Sequence, residues 1–250
     1  MADIPYLDER RRRTRTVRNV SDLLRFLQGG GGDLYLTLFR GQRCDWPLRP
    51  KIARVDLLGG TQREAERLML ATFCREAIAH LGIMPENDWE WLAIGQHHGL
   101  PTRLLDWTKN PLAALWFAVT EPASDGPGIV WVLQPHQRDI LYANGAESPF
   151  DGTEIRVFEP RHVSPRIRAQ AGLFTVHKRV GATDEIPALQ DLPEQRANLL
   201  KCIIPAERFA TIRAQLMDCG VHAASLFPDL DGVARRVAAD HVRSADMPIL

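Results

Sequence analysis

Polar side chains crowd one short and otherwise apolar stretch of the sequence, residues 96–108, which reads QHHGLPTRLLDWT. Neighbouring residues do not share a helix face, so at most one of His97 and His98 can face a site. Imidazole titrates near neutral pH, and His97 together with Asp106 could act as a general acid or base. The stretch therefore supplies three candidate catalytic residues: His97, Thr102 and Asp106.

Alternatives stay open for the other polar groups of this stretch. Asp106 could orient His97 or form an ion pair with Arg103, and such a pair can also serve only to stabilise a loop. The hydroxyl of Thr108 could contact a ligand, or it could cap the helix that Asn110 begins. The ligand contacts predicted from this stretch are Gln96, Arg103 and Thr108.

A second candidate is the sequence FRGQ at residues 39–42, which follows an apolar run. An arginine at the end of a buried strand must be paired, because an isolated charge is costly to bury. Arg40 could pair with Asp45 or Asp106, or its guanidinium could hold a phosphate. Glycine lets another backbone or a ligand come close. The residues predicted to contact a phosphate-bearing cofactor are Arg40, Gly41 and Gln42.

The third candidate is Gln170, which stands just before the break at Gly172 and the strand that follows it. A glutamine at such a position could face a pocket, and it is the fourth candidate catalytic residue. It could equally lie in a surface turn.

Composition excludes several classes of function. The 250 residues carry 31 basic and 31 acidic side chains, so no net field steers the chain toward nucleic acid or a membrane. The four cysteines are scattered without a CxxC pair, which indicates no metal site and favours reduced thiols, as in the cytoplasm. No apolar run approaches the ~18 residues of a membrane span, and no apolar leader starts the sequence.

The pattern of elements predicts a single α+β domain with a mixed, mostly antiparallel sheet flanked by helices, since strands and helices do not alternate strictly. Residues 1–18 are predicted to be a basic arm, solvated or in contact with phosphates, and residues 19–250 the domain. Periodicity and turn signals predict strands at 34–39, 102–105, 129–133, 154–158, 173–177 and 199–204. They predict helices at 22–28, 62–80, 89–98, 112–120, 207–218 and 228–243, a short helical piece from residue 164, and a polar loop at 181–195.

These segments, in this order, resemble the FRG domain family, which is named for a Phe-Arg-Gly motif. The motif here is residues 39–42, followed by Trp46 and Pro50, and the family's central motif resembles residues 96–108 with the helix up to 118. Residues 166–175 and 225–232 also resemble family segments. The resemblance extends over about residues 20–240, with His98 standing where the family commonly has Tyr.

A more remote resemblance is to ADP-ribosyltransferases, and it implies that fold and NAD as the cofactor. By this resemblance residues 102–108, with the helix up to 118, would form the second element of that fold. Arg40 would hold the diphosphate, Thr102 and His97 would contact the ribose or the nicotinamide, and Asp106 would orient them. Gln170 would be the remnant of a Gln/Glu-x-Glu motif. The catalytic Glu of that motif has no counterpart after Gln170, and only Glu154 or Glu159 could substitute.

Three hypotheses follow. The first is an NAD-dependent ADP-ribosyltransferase or NAD glycohydrolase, acting as a toxin or phage-defence effector on a protein target. The second is a non-catalytic module that binds a nucleotide or nucleic acid through phosphates. The third is a metal-independent nuclease or other hydrolase that uses His97 and Asp106.

Overall fold

The computed structural model describes residues 14–28, 36–123, 126–141, 148–151, 154–161, 165–180 and 184–242. Its strands are β1 (Thr14–Thr16), β2 (Leu38–Gln42), β3 (Leu104–Thr108), β4 (Gly128–Leu133), β5 (Ile140–Leu141), β6 (Arg156–Phe158), β7 (Gly172–Val176) and β8 (Leu199–Ile204). They form one sheet in the order β1-β8-β4-β2-β3-β7-β6-β5. Only β1–β8 and β5–β6 are parallel among these pairs. The predicted α+β class, with a mixed and mostly antiparallel sheet, is confirmed.

Helices flank this sheet. They are α1 (Val20–Gln28), α2 (Gln62–Ala77), α3 (Asp88–His97), α4 (Pro111–Val119), α5 (Pro165–Ala169), α6 (Pro193–Arg196), α7 (Phe209–Asp218), α8 (Ala223–Leu226) and α9 (Leu230–His241). Short 3-10 helices lie at Lys51–Arg54, Ile78–His80, Gln137–Asp139, Leu189–Asp191 and Ala206–Arg208. None of the helices in the described ranges combines the length and apolarity that a membrane crossing needs.

The packing of α4 on β2 is the closest contact between a helix and the sheet. A Cβ atom placed on Gly41 would lie 1.8 Å from the main-chain oxygen of Ala114, so only glycine fits beneath this helix. Asn110 caps α4 by accepting hydrogen bonds from Leu112 N and Ala113 N, and a proline occupies the first turn. The helix was predicted to be buried because it is apolar all round, and five of its nine residues are buried.

The sheet divides between β2 and β3. β2 pairs with β4 along five residues and β3 pairs with β7 along five, but β2 and β3 meet only at Phe39 and Thr108. Beyond that pair the two strands separate. Arg40 and Asp106 lie where the separation begins.

Hydrophobic clusters cover both faces of the sheet. One packs α1, α4 and α7 against Phe39, Val130 and Cys202. On the other face, Leu38, Leu105, Trp107 and Trp131 belong to a second cluster, so Trp107 is a core residue. A third cluster packs α2 and α3 on Leu104 and Phe174.

Several element boundaries differ from the prediction. The strand predicted at 34–39 lies at Leu38–Gln42, because the strand extends through Gly41, which packs under α4. Residues 34 and 35 lie outside the described part. The strand predicted at 102–105 lies at Leu104–Thr108, since the Thr102 hydroxyl turns back to accept from Leu104 N. The helix predicted to reach residue 80 ends at Ala77 and continues as a 3-10 turn.

Other differences concern the ends and the loops. Thr14–Thr16, from the predicted arm, pairs with β8 as an edge strand, whereas residues 1–13 lie outside the described part. The segment predicted as loop at 181–195 contains Leu189–Asp191 and Pro193–Arg196 as short helices. The expectation of buried thiols holds for Cys202 but is wrong for Cys219, which is exposed.

Gly41→Ala should destabilise the fold by about 3 kcal/mol or more, because overpacking a rigid backbone contact forces the helix away from the sheet. Gly82→Ala is the control, because a Cβ atom there meets nothing within 4 Å. Urea denaturation of the two variants measures the difference. Equal midpoints would show that α4 does not rest on Gly41 as described.

Candidate functional site

A cavity of about 240 Å³ opens at the end of β2, and we call it the arginine cleft. The described residues that line it include four arginines and no carboxylate. They are Arg40, Gly41, Gln42, Arg43, Trp46, Pro47, Arg49, Arg54, Phe117 and Thr120. The structure therefore brings together the three residues predicted from the Phe-Arg-Gly motif.

Arg40 forms the ion pair that the sequence left as one of two alternatives. Its Nη1 donates to the main-chain oxygen of Asp106 at 2.8 Å and lies 3.6 Å from the Asp106 carboxylate. Asp45 pairs with Lys201 instead. Burial lowers the pKa of Arg40 below its ordinary value, Asp106 opposes this shift, and Arg54 adds to it. Nε of Arg40 is buried without a hydrogen-bond partner in the described structure.

The other arginines of the cleft come from loops. Arg43 pairs with Glu121, and Nε of Arg49 donates to Ile186 O at 3.1 Å. Arg54 ends a 3-10 helix and is exposed. The prediction missed all three arginines because loop residues follow no periodic pattern. Their only signal in the sequence is the recurrence of arginine soon after residues 39–42.

Trp46 is the exposed aromatic residue of the cleft, with 47% of its surface accessible. Phe117 of α4 lines the same cavity and is half-buried. The cleft thus combines guanidinium groups with aromatic surface, an arrangement that suits a phosphate attached to a planar ring.

A hydrogen-bonded chain connects residues of the 96–108 stretch to Arg40. The Thr102 hydroxyl donates to Gln96 Oε1 at 2.7 Å, and Gln96 Nε2 donates to Asp106 Oδ2 at 3.0 Å. The same Asp106 oxygen faces Nη1 of Arg40. Of these three residues predicted for a site, Asp106 contacts Arg40, and Gln96 and Thr102 connect to it through Asp106. None of the three is among the described residues that line the cleft.

Arg103 has a different environment from the one predicted. Its side chain is 2% exposed and forms two hydrogen bonds with Glu66, at 2.8 and 2.7 Å, and a third with Pro149 O. Arg179 shares the same carboxylate at 3.2 Å. The donors of Arg103 are thus used inside the protein, where a cofactor cannot reach them, and Asp106 pairs with Arg40 rather than Arg103.

His97 faces a different cavity. This second cavity, of about 260 Å³, is lined by Leu81, Gly82, Ile83, Ile94, His97, His98 and Ile167. Burial lowers the pKa of His97, and the charges of His98 and Arg166 lower it further. The walls of this second cavity are mostly apolar, and Arg40 is not among the described residues that line it. The structure therefore does not place His97 at the arginine cleft.

The remaining predicted residues make internal contacts. Thr108 Oγ1 donates to Gln170 O at 2.5 Å and accepts from Asn110 N, which is the residue that caps α4. Gln170 Nε2 donates to Leu226 O at 3.1 Å. Gln42 lines the cleft but is mostly buried, and its Oε1 accepts from Trp131 Nε1.

The two glutamates considered as catalytic substitutes do not line the arginine cleft. Glu154 pairs with Arg156, and Glu159 pairs with Lys109. Neither glutamate is among the described residues that line the cleft. The carboxylate that contacts the lining residue Arg40 is that of Asp106.

His177 is a buried polar residue that the sequence did not single out. It follows β7, is 1% exposed, and its Nε2 lies 3.0 Å from Thr175 Oγ1, which accepts from Trp107 Nε1. Burial lowers the pKa of His177 to about 3, with further lowering by Arg40 and Arg103. The imidazole is therefore neutral in the folded protein near neutral pH.

Fold and cavity together define an α+β protein with an arginine-lined cleft. The family model of the FRG domain matches residues 36–126, which run from the start of β2 past the end of α4. That stretch includes the Phe-Arg-Gly motif and the central motif and supports the predicted resemblance to the family. It is less than half of the chain and does not include residues 166–175 and 225–232, on which the prediction also rested. No curated protein and no solved structure matches the chain. The resemblance to ADP-ribosyltransferases stays a prediction.

Glu66→Gln should lower the free energy of unfolding by about 3–5 kcal/mol, because it leaves the buried Arg103 without a charged partner and Arg179 with Asp184 alone, 3.9 Å away. The control is Asp151→Asn, which removes the exposed partner of Arg67 and should cost at most about 1 kcal/mol. Urea denaturation checks both values. Similar small losses would argue against a structural role for the Arg103–Glu66 pair.

His177 should make stability depend on pH. Its pKa is about 3 when folded and 6.5 when unfolded, so its contribution is complete above pH 6.5 and falls as pH drops toward 3. Between pH 6.5 and 5 the loss is about 2 kcal/mol, at about 1.4 kcal/mol per pH unit. Denaturation at both pH values should show that His177→Gln loses less than wild type, whereas the exposed control His80→Gln behaves as wild type. Parallel pH profiles for all three proteins would contradict the assignment.

Proposed function

We propose that the arginine cleft binds the phosphates of a nucleotide, and that NAD is the ligand. The observation that carries this proposal is the convergence of four arginines on one cavity without a carboxylate among its described lining residues. Guanidinium groups bind phosphate oxygens through paired hydrogen bonds. The match of residues 36–126 to the FRG domain supports the importance of the segment that builds the cleft.

The charge balance of the cleft favours a diphosphate diester. Asp106 pairs with Arg40 and Glu121 with Arg43. Within the described part of the chain, no carboxylate forms an ion pair with Arg49 or Arg54. Two uncompensated positive charges match a diphosphate that carries one negative charge on each phosphate, as NAD does.

The size of the cleft suits part of NAD rather than all of it. Sites that enclose whole drug-sized ligands measure about 300–1,000 Å³, and this cavity measures about 240 Å³. The diphosphate and one nucleoside would occupy it, with the base stacked on Trp46. The second nucleoside would extend out of the cleft.

Turnover of NAD is a second candidate function, supported by one observation. The Asp106 carboxylate is 57% exposed and lies beside Arg40, so it could stabilise the positive charge that develops when the nicotinamide bond breaks. An ADP-ribosyltransferase or NAD glycohydrolase of this kind would act as a cytoplasmic toxin or phage-defence effector. A transferase would need a protein target.

Arg54→Ala should weaken NAD binding about tenfold, because a charged hydrogen bond contributes about 1.5–3 kcal/mol. Trp46→Ala should weaken NAD but not inorganic pyrophosphate, which has no ring to stack. The control Arg75→Ala removes an equal charge from an exposed site on α2 and should leave affinity unchanged. Isothermal titration calorimetry at low and moderate salt measures these affinities.

Other outcomes would separate the hypotheses. Absence of NAD binding to the wild-type protein at millimolar concentration would exclude the proposal, and equal losses in Arg54→Ala and Arg75→Ala would reduce it to a net-charge effect. Binding of single-stranded oligonucleotides in preference to NAD, with a steep salt dependence, would favour the nucleic-acid module instead. Nicotinamide release that Asp106→Asn abolishes would support turnover.

A further inference from the structure

The ladder of hydrogen bonds between β2 and β3 ends at the pair formed by Phe39 and Thr108. Arg40 is therefore the first β2 residue after the strands separate. Its guanidinium crosses the gap to the main-chain oxygen of Asp106. A long side chain of this kind has many rotamers, and binding is stronger when its orientation is fixed in advance.

The hydrogen-bonded chain from Thr102 has a defined direction. Thr102 Oγ1 accepts from Leu104 N at 3.1 Å, which leaves its single proton for Gln96 Oε1 at 2.7 Å. Because Oε1 of Gln96 is the acceptor in that bond, its amide nitrogen is the atom that faces Asp106. Gln96 Nε2 then donates to Asp106 Oδ2 at 3.0 Å.

The two ends of this chain differ in exposure. Thr102 is fully buried, Gln96 is half-buried, and the Asp106 carboxylate is largely exposed. An exposed carboxylate has several rotamers open to it, and the bond from Gln96 selects the one that faces Nη1 of Arg40. The chain thus connects the buried hydroxyl of Thr102 to the carboxylate of Asp106 at the edge of the arginine cleft.

We propose that Gln96 and Thr102 are positioning residues, which act through Asp106 to hold the Arg40 guanidinium in the orientation that receives a phosphate. The inference rests on the proposed function for the nature of the ligand, but its claim about Arg40 concerns the free protein. It gives a role to polar residues of the 96–108 stretch that do not line the cleft.

Gln96→Glu is the sharpest single variant. It keeps the shape and can still accept from Thr102, but it cannot donate to Asp106 and places two carboxylates together. Binding of ADP should weaken about tenfold, since one charge-assisted hydrogen bond is lost. The exposed control Gln137→Glu makes the same change of charge outside the cleft and should bind ADP like wild type.

The double variant Gln96→Glu/Asp106→Asn separates the hydrogen bond between positions 96 and 106 from the carboxylate. The new amide at position 106 can donate to the new carboxylate at position 96, and the net charge is that of the wild type. The atom that then faces Nη1 of Arg40 is an amide nitrogen, because a single Asp106 oxygen accepts from Gln96 and faces Arg40 in the wild type. ADP affinity should therefore stay reduced, and wild-type affinity in the double variant would show that the Asp106 carboxylate does not position Arg40. Thermal stability is measured in parallel, because a merely structural role would lower it together with the affinity.

A measurement without ligand separates this inference from the proposed function. The ¹⁵N signal of Arg40 Nε, assigned by its loss in Arg40→Lys, should show a mobile side chain in Gln96→Glu and in the double variant, and a rigid one in the wild type and in the control Gln137→Glu. That result supports the positioning role even if ADP binds to none of the proteins, an outcome that would refute the proposed function alone. An unchanged Arg40 signal in Gln96→Glu, or wild-type ADP affinity in that variant, would overturn the inference.

Discussion

The hydrogen bond from the Arg40 guanidinium to the main chain of Asp106 joins the two halves of the sheet where their ladder stops. A strand edge with unpaired main-chain groups is costly unless another group satisfies it. Here a charged side chain supplies a donor, and the same side chain lines the cleft. Arg40 thus satisfies the strand edge and also lines the cleft, and the neighbouring chain of polar groups ends at its partner Asp106.

The 96–108 stretch divides its charged residues between two tasks. Arg103 precedes β3 and Asp106 lies within it, and the two side chains have different surroundings. Arg103 forms a buried pair with Glu66 of α2 and anchors that helix. Asp106 stays at the surface beside Arg40. A segment that looks like one polar motif in the sequence is therefore partly a core element and partly the edge of a cleft.

The features that depend on residues close together in the sequence could be predicted from the sequence alone. Caps such as Asn87 and Asn110, and the apolar run of α4, fixed helix positions, and the Phe-Arg-Gly motif located one wall of the cleft. The partner of Asp106 could not be predicted, because the choice between Arg40 and Arg103 depends on strand pairing far apart in the chain. Arg43, Arg49 and Arg54 were missed for a related reason, since only the fold of their loop brings them together. His97 was chosen for its chemistry, but the helix directs it to another cavity.

The glycine contact beneath α4 has a mechanical consequence for the cleft. Because Gly41 and Ala114 leave no space between strand and helix, β2 and α4 are in direct contact where Gly41 and Phe117 line the cleft. Arg54, another lining residue, ends the 3-10 helix of Ile52, whose main-chain N–H donates to Thr102 O. One threonine thus supports two parts of the cleft, since its carbonyl holds the 3-10 helix and its hydroxyl begins the polar chain to Arg40.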